Sequence, residues 1–273
     1  MIHAYAKSNI GYSHIKDKKP CQDYSALYRD KERIIITCCD GHGGDAYIRS
    51  EYGSKIASYS IMNVFNSLNY SFFFRLSDSE IENQIKLNVL CEWNKMVEQH
   101  LAHKPIRKSE VIKLSEDSVD ALKFNPAKAY GTTLAGAMLI GKKLVVVSIG
   151  DTECLYVSKG ELMKVFNTDD DPVANVTYSM CQEDAFQYLR VKVLDFKNID
   201  AVILCTDGLT SPYQSYVNFS KSFVNPLMNK LISDGNFNYV DNFIEELALK
   251  LGVGDDVSLS VIARYDFSKK YYK

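Results

Sequence analysis

The order of strand-like and helix-like segments constrains the fold of this chain more than any other feature. Strand patterns cover residues 2–10, 24–29 and 34–39, and helical spacing then takes over in 43–68 and 80–103. Strand-like runs return at 132–140, 143–149, 153–157, 201–206 and 257–265, and helical spacing returns at 223–232 and 239–251. Because strands group with strands and helices with helices, the pattern predicts an α+β layer fold rather than a doubly wound sheet.

Short connections predict the strand directions. The runs 132–140, 143–149 and 153–157 are separated by tight turns, so they are interpreted as an antiparallel meander. The charged stretch 104–128 is interpreted as a surface connection, and 168–198 as a mixed polar segment. Two antiparallel sheets packed face to face, with helices outside, would accommodate this order. The hydrophobic content of 46%, without internal repeats or a low-complexity linker, predicts one domain over 1–273.

Aspartates recur beside the apolar, strand-like runs. They are Asp40 after 34–39, Asp151 after 144–149, Asp207 after 201–206, and the pair Asp255-Asp256 after 252–254. Carboxylates at strand ends converge on one rim of a sheet, and a set of hard oxygen ligands suits Mg²⁺ or Mn²⁺ better than zinc. The sequence therefore predicts a carboxylate metal centre.

Composition limits the partners and the compartment. A formal net charge of -2 leaves no electrostatic footprint for nucleic acid or an anionic membrane. Seven cysteines without a C-x-x-C pair or a secretory segment favour a reducing compartment. No stretch approaches the roughly 20 apolar residues that span a bilayer. We expect a cytoplasmic protein that binds neither nucleic acid nor membrane.

Other conspicuous residues have simpler interpretations. His100 and His103 are interpreted as a solvated helix end, and Asp169-Asp170-Asp171 as a solvated turn. The Phe72-Phe73-Phe74 run is either a partner surface or core between the two long helices. Cys38 and Cys39 lie in an apolar run that would raise the pKa of a thiol, which argues against a cysteine nucleophile.

Six short motifs in a fixed order carry a family resemblance. They are Gln22-Asp23, Asp40-Gly41-His42-Gly43-Gly44, Gly131-Thr132-Thr133, Gly150-Asp151, Asp207-Gly208-Leu209 and Asp255-Asp256-Val257-Ser258. Each string is weak alone, but the ordered set resembles the metal-dependent Ser/Thr protein phosphatases of type 2C, the PPM superfamily. The resemblance runs from Gly11 to about Arg264, and the segment from Gly11 to Asp23 is similar to a bacterial branch.

The resemblance implies a four-layer αββα sandwich with a two-metal site at one end of two central antiparallel sheets. The matching positions imply that Asp23, Asp40, Asp207, Asp255 and the Gly41 carbonyl are metal ligands, with Asp40 bridging both ions. The implied cofactors are two Mn²⁺ or Mg²⁺ ions. Such a pair can hold a bridging hydroxide and neutralise phosphoryl oxygens during in-line attack.

The implied activity is hydrolysis of phosphoserine and phosphothreonine on proteins by metal-bound hydroxide, without a covalent phosphoenzyme. His42 stands where the family has a general acid, which would protonate the departing alkoxide. The simpler interpretation of His42 is a structural histidine in a turn. The implied partner is a phosphorylated protein substrate.

The chain departs from the family pattern at several positions. Eukaryotic members carry a phosphate-binding arginine ahead of the first metal aspartate, and this chain has His14 and Lys16 in that region. We expect His14 to bind phosphate, although imidazole lacks the bidentate fork of arginine. Asp151 resembles a ligand of a third, weaker metal whose acidic partner is replaced by Ser211. Asp256, where many relatives have asparagine, adds negative charge.

Two alternatives remain open on the sequence. A pseudophosphatase would keep the sandwich as a binding or regulatory module but lack productive phosphate capture. A metal-dependent esterase or nuclease would share the chemistry but require another cleft. Nothing in the sequence favours nucleic acid, since basic and aromatic residues are not interleaved.

Overall fold

A computed structural model describes residues 2–69, 75–166 and 177–264. The strands, numbered in chain order, are β1 Ile2–Asn9, β2 Tyr24–Arg29, β3 Arg33–Cys39, β4 Leu134–Ile140, β5 Lys143–Ile149, β6 Glu153–Ser158, β7 Glu161–Lys164, β8 Arg190–Asp195, β9 Ala201–Cys205 and β10 Val257–Arg264. The α-helices are α1 Tyr12–Lys16, α2 Ser50–Ser67, α3 Asp78–His103, α4 Lys108–Val111, α5 Glu116–Phe124, α6 Ala185–Tyr188, α7 Asp207–Thr210, α8 Tyr216–Phe219, α9 Asn225–Asp234 and α10 Asn238–Glu246. Single 3₁₀ turns cover Pro126–Tyr130 and Phe196–Asn198, and π-helical segments cover Ser220–Val224 and Leu247–Leu251.

The strands form two five-stranded antiparallel sheets. The first sheet has the order β1-β10-β9-β6-β7 and the second has the order β2-β3-β4-β5-β8. In the second sheet Tyr24 pairs with Cys39 and Leu134 with Ile149, so the start of one strand lies beside the end of its neighbour. The first sheet repeats this arrangement, since Leu259 near the start of β10 pairs with Cys205 at the end of β9.

Three apolar clusters separate four layers. Ile36, Val146, Leu204 and Ile262 belong to the cluster in which buried residues of the two sheets meet. The opposite face of the second sheet packs on α2 and α3, and the opposite face of the first sheet packs on the helices between residues 219 and 248. The central strands are apolar on both faces because each face is covered, as expected for buried sheets. The predicted four-layer α+β sandwich with two central antiparallel sheets is confirmed.

The longest helix shows why its segment is helical. Its buried residues are Ile81, Ile85, Val89, Trp93 and Val97, spaced four apart, which places one apolar stripe on the sheet. Ser77 and Glu80 form a capping box that satisfies backbone N–H groups at its first turn.

The predicted meander was wrong in its third strand. β4 and β5 pair through the turn at Gly141, whose φ of 55° is left-handed, but β6 does not continue this sheet. It crosses to the other sheet and pairs with β7 and β9. A short connection therefore did not imply a neighbouring strand, because the chain changes layers at Gly150 and Asp151.

Several other segments also differ from the sequence prediction. The stretch 104–128 contains α4 and α5, and α2 begins at Ser50 rather than at Gly43. β7 and β8 were missed, although Val191 and Val193 alternate with polar neighbours in a detectable period of two. Residues 252–254 are not a strand, so Asp255 precedes β10 instead of following a strand.

The Phe72-Phe73-Phe74 run and the Asp169-Asp170-Asp171 turn lie outside the described residues. Within the described ranges, no helix is both long enough and apolar enough to cross a membrane.

Candidate active site

Antiparallel pairing gathers the predicted aspartates at one end of the sandwich. Asp40, Asp151 and Asp207 follow the strands β3, β5 and β9. Asp23 and Asp255 instead precede the strands β2 and β10, which are neighbours of β3 and β9. Strand starts and strand ends alternate at each end of an antiparallel sheet, so all five positions lie at the same end of the two packed sheets. We call this end, with its five aspartates, the carboxylate edge.

Two threonines fix the backbone at Asp40. Thr133 donates its N–H to the Asp40 carbonyl at 2.8 Å, and the Asp40 N–H donates to Oγ1 of Thr133 at 2.9 Å. Thr132 Oγ1 donates to the same carbonyl at 2.8 Å, and Gly41 forms an isolated bridge with Thr132. The motif Gly131-Thr132-Thr133 therefore positions the segment that carries Asp40 and Gly41.

Asp23 is buried between the two sheets. Thr206, the residue before Asp207, donates its hydroxyl hydrogen to Oδ2 of Asp23 at 2.8 Å. Ser258 in β10 donates its N–H to the same threonine oxygen at 3.0 Å. The sequence analysis did not predict a role for Thr206, and its position directly before Asp207 is the sequence signal that could have indicated one.

The carboxylates repel one another across this edge. Burial raises the pKa of Asp40 well above its ordinary value, and the negative charges of Asp23, Asp207, Asp151 and Asp255 add to the rise. Burial also raises the pKa of Asp23, with Asp256 as the next cause. A divalent cation would relieve this repulsion.

The donor set fits Mg²⁺ or Mn²⁺ in its chemistry, because it consists of carboxylates and the Gly41 carbonyl. Across residues 2–69, 75–166 and 177–264, no three acidic, histidine or cysteine side chains are already gathered closely enough to hold one metal ion. The carboxylates therefore act on one another through charge without forming a ready-made cage.

His42 is positioned by backbone contacts beside these aspartates. Its N–H donates to the Gly131 carbonyl at 3.1 Å, and its ring lies 5.0 Å from the ring of Tyr47. Burial lowers the pKa of His42, and the charge of Asp151 opposes that change. His42 is thus a partly enclosed imidazole within electrostatic reach of Asp151.

Asp256 organises the loop that leads to Asp23. Its side chain is 2% exposed, and its two oxygens accept backbone N–H bonds from Gly11 at 2.7 Å and from Gln22 at 2.6 Å. Gln22 in turn donates its side-chain amide to Oγ of Ser50 at 2.5 Å. The extra carboxylate noted in the sequence is therefore a buried acceptor that ties the N-terminal loop to the start of β10.

His14 contacts the same pair of aspartates. Its Nδ1 lies 2.9 Å from Oδ1 of Asp256, without the geometry of a hydrogen bond. Its Nε2 lies 4.0 Å from Oδ1 of Asp255. The ring therefore lies close to Asp256, and its second nitrogen is nearer to Asp255, a predicted metal ligand.

The other predicted ligands lie nearer to solvent. The side chain of Asp255 is 51% exposed, and Asp151 accepts a hydrogen bond from Oγ1 of Thr177 at 2.7 Å. Burial raises the pKa of Asp207, with Asp255 and Asp151 as further causes, which places the three carboxylates within electrostatic reach of one another.

The neighbouring thiols are not candidates for nucleophiles. Cys38 and Cys39 are fully buried, and burial raises the pKa of both. A thiol kept protonated in the core cannot attack phosphate, in agreement with the sequence interpretation.

The fold and its carboxylate edge define a class of two-sheet sandwich proteins with an acidic site at one end of the sheets. Residues 10–245 match the family model described as protein phosphatase 2C. This match spans most of the chain, so the chain belongs to the protein phosphatase 2C family. The predicted membership of the type 2C protein phosphatase family is confirmed.

Solved structures of bacterial phosphatases share the fold. A bacterial serine phosphatase is 16% identical, with 98% of this chain and 100% of that chain covered and a TM-score of 0.63. Stp1 from Staphylococcus aureus is 15% identical, covering 97% and 95% of the two chains with a TM-score of 0.62. The catalytic domain of PstP in complex with two manganese ions is 15% identical, covering 96% and 97% with a TM-score of 0.58. At these identities the likeness shows the fold alone, and a search of curated proteins found no match.

Proposed function

We propose that this chain hydrolyses phosphoserine and phosphothreonine on proteins in a reaction that depends on two Mn²⁺ or Mg²⁺ ions. The observation that carries the proposal is the position of Asp40, a partly buried carboxylate whose pKa is raised first by burial and then by the charges of four other aspartates. Charge of one sign concentrated at a sheet edge is costly unless a cation compensates it.

The metal ligands in this proposal are the side chains of Asp23, Asp40, Asp207 and Asp255 and the carbonyl of Gly41. Asp151 would belong to a third, weaker site. Two divalent cations, when bound, would supply the nucleophile and neutralise the phosphoryl oxygens.

The remaining steps fall to side chains of this chain. His42 would donate a proton to the departing serine or threonine oxygen; burial lowers the pKa of His42, and the charge of Asp151 opposes that change. His14, whose Nδ1 lies beside Asp256, would offer Nε2 to the phosphate. The seven cysteines, all within the described residues, are free, which supports our inference that the protein works in the cytoplasm. We also infer a single domain over 1–273.

The decisive experiment compares wild type with Asp40→Asn on p-nitrophenyl phosphate and on a phosphoserine peptide, with Mn²⁺ and after chelation. We expect wild-type turnover only with the metal and none in the variant, because the nearly isosteric change removes the ligand charge. Circular dichroism should show that the variant is folded. Full activity after exhaustive chelation would contradict the proposal.

A pseudophosphatase remains the second candidate, favoured by the missing arginine. Calorimetry would then show that the wild-type protein binds Mn²⁺ and that Asp40→Asn weakens this binding, yet the wild-type protein would hydrolyse neither substrate. The two proposals therefore differ in turnover and agree in metal binding.

A further inference from the structure

Two segments next to the carboxylate edge expose apolar side chains. On α1, Tyr12 is 56% exposed and Ile15 is 46% exposed; just ahead of β10, Leu251 is 61% exposed and Val253 is 59% exposed. Tyr12 and Ile15 are three apart on a helix, so they share one face. Large apolar side chains that are exposed together mark interaction surfaces more often than isolated ones do.

The two segments are in direct backbone contact. Ser13 donates its N–H to the Gly254 carbonyl at 2.9 Å. A Cβ on Gly11 would lie 2.2 Å from the carbonyl carbon of Asp255, so only glycine permits this approach. The four apolar residues therefore belong to one surface, and that surface borders Asp255.

Four lysines lie on or directly beside the same two segments, as does the exposed Asp17. Lys16, Lys18, Lys19 and Lys250 are all exposed. Within the described part of the chain, none of these lysines forms an ion pair. We call the four apolar residues and the four lysines the rim patch.

Lys18 has an unusual backbone conformation at the end of α1. Its φ is 56°, in the left-handed region that favours glycine or asparagine at the end of a helix. The backbone bond from Lys19 N–H to the His14 carbonyl, 2.8 Å long, closes α1 at this point. Because glycine can replace Lys18 without straining this turn, the position allows the charge to be tested by itself.

We propose that the rim patch binds the polypeptide that flanks the phosphorylated residue of the substrate, and that it selects flanks containing acidic and large apolar residues. Lysines without partners complement acidic side chains, and the apolar surface accommodates an aliphatic or aromatic anchor. This proposal rests on the proposed function, because the patch is placed to hold a chain whose phosphate reaches the carboxylate edge.

The first test measures binding without turnover. A fluorescent, unphosphorylated peptide with acidic and leucine residues is titrated with protein in EDTA, and anisotropy gives Kd; a matched peptide with lysine and serine flanks is the reference. We expect wild type to prefer the acidic-apolar peptide by about tenfold. Equal affinity for both peptides would overturn the proposal even if the phosphatase activity were established.

The second test uses matched variants. Ile15→Ser with Leu251→Ser removes apolar surface, Lys19→Glu reverses charge, and Lys18→Gly removes charge while keeping the left-handed turn. We expect each to weaken acidic-peptide binding about three- to tenfold. Ile112→Ser and Lys142→Glu make the same chemical changes at exposed positions outside the patch and should leave Kd unchanged.

Lys18→Gly separates recognition from structure. Because glycine suits the turn, its thermal midpoint should stay the same or rise while peptide affinity falls. An unchanged affinity would show that Lys18 only ends the helix and would count against the proposal.

Activity assays then connect binding to catalysis. With Mn²⁺, the patch variants should raise KM for an acidic-flanked phosphoserine peptide by about three- to tenfold, with kcat and p-nitrophenyl phosphate hydrolysis unchanged. If wild type hydrolyses neither substrate, the proposed function fails, whereas the anisotropy result still decides the patch. Patch-dependent dimers in sedimentation, or binding to phosphatidylserine vesicles without peptide binding, would assign the surface to another partner and overturn the proposal.

Discussion

Thr206 and Asp23, which are 183 residues apart in the chain, share a buried hydrogen bond of 2.8 Å. Thr206 follows the last residue of β9, and Asp23 precedes the first residue of β2, so the bond joins one sheet to the other at the carboxylate edge. The same threonine oxygen accepts the N–H of Ser258. The hydroxyl group of Thr206 thus fixes both the side chain of Asp23, a proposed metal ligand, and the backbone at the start of β10.

Thr206→Val should therefore destabilise the protein. The change keeps the shape but leaves Asp23 and the Ser258 N–H without a buried partner, which costs about 1–3 kcal/mol of unfolding free energy. Urea denaturation measures the loss. Thr210→Val is the matched control, since its hydroxyl makes only a 3.5 Å contact and should change stability little. A Thr206→Val protein as stable as wild type would show that the bond carries no net stabilisation.

Substitutions of the adjacent residues Asp255 and Asp256 should affect different properties, metal affinity in the first case and stability in the second. Asp256→Asn changes a buried acceptor of three backbone N–H groups and should lower stability by about 1–3 kcal/mol, because its amide can face those donors with only one oxygen. Asp255→Asn, at a half-exposed position, should keep stability but lose Mn²⁺ affinity. Denaturation and calorimetry together separate the two effects. If Asp255→Asn lowered stability and Asp256→Asn lowered only Mn²⁺ affinity, Asp256 would be the metal ligand and Asp255 the structural residue.

Stability without metal should fall as pH rises. Asp23 and Asp40 have a pKa raised above that of the unfolded chain, so the folded state binds more protons at pH values above about 4. The unfolding free energy then decreases as these groups ionise, up to their raised pKa. Denaturation in EDTA from pH 4.5 to 7.5 measures the slope.

Asp40→Asn should flatten that slope and stabilise the metal-free protein at neutral pH, because it removes one ionising group from the edge. Saturating Mn²⁺ should reverse the trend in wild type, since the cation favours ionised carboxylates. The burial-lowered pKa values of His3, His42 and His100 add an opposite slope to both proteins, so the test is the difference between them; equal slopes for wild type and Asp40→Asn would contradict the charge repulsion described at this site.

His42 should matter most for poor leaving groups. His42→Ala should slow a phosphoserine peptide by about 10² or more and p-nitrophenyl phosphate much less, because nitrophenolate leaves without protonation. Steady-state kcat on both substrates measures this difference. Equal losses on the two substrates would assign His42 to structure, the other interpretation of this residue.

The charge of Asp151 should also shift the pH profile of kcat. Asp151 raises the pKa of His42, so Asp151→Asn should move the alkaline limb for the phosphoserine peptide to lower pH. Thr177→Val removes the hydrogen bond to Asp151 but keeps the charge, so this control should leave the limb in place. An unmoved limb in Asp151→Asn would show that His42 does not set it.

The sequence by itself was enough to predict the layer fold, most strand positions and the identity of the acidic residues. Short-range signals sufficed there, because a buried strand needs an apolar run and the motif from Asp40 to Gly44 is contiguous. The sequence did not predict that β6 leaves the sheet of β4 and β5 and joins the first sheet, since local pattern does not specify which sheet a strand joins.

Only the tertiary structure decided how distant residues meet at the edge. Asp256 accepts the N–H of Gly11 from 245 positions away, and Thr206 reaches Asp23 from the opposite sheet. The rim patch likewise joins α1 to the segment ahead of β10 through Ser13 and Gly254. Strand order and sheet packing determine such partners, and both depend on many weak contacts over the whole chain. Local periodicity indicates only which face of each helix or strand is buried.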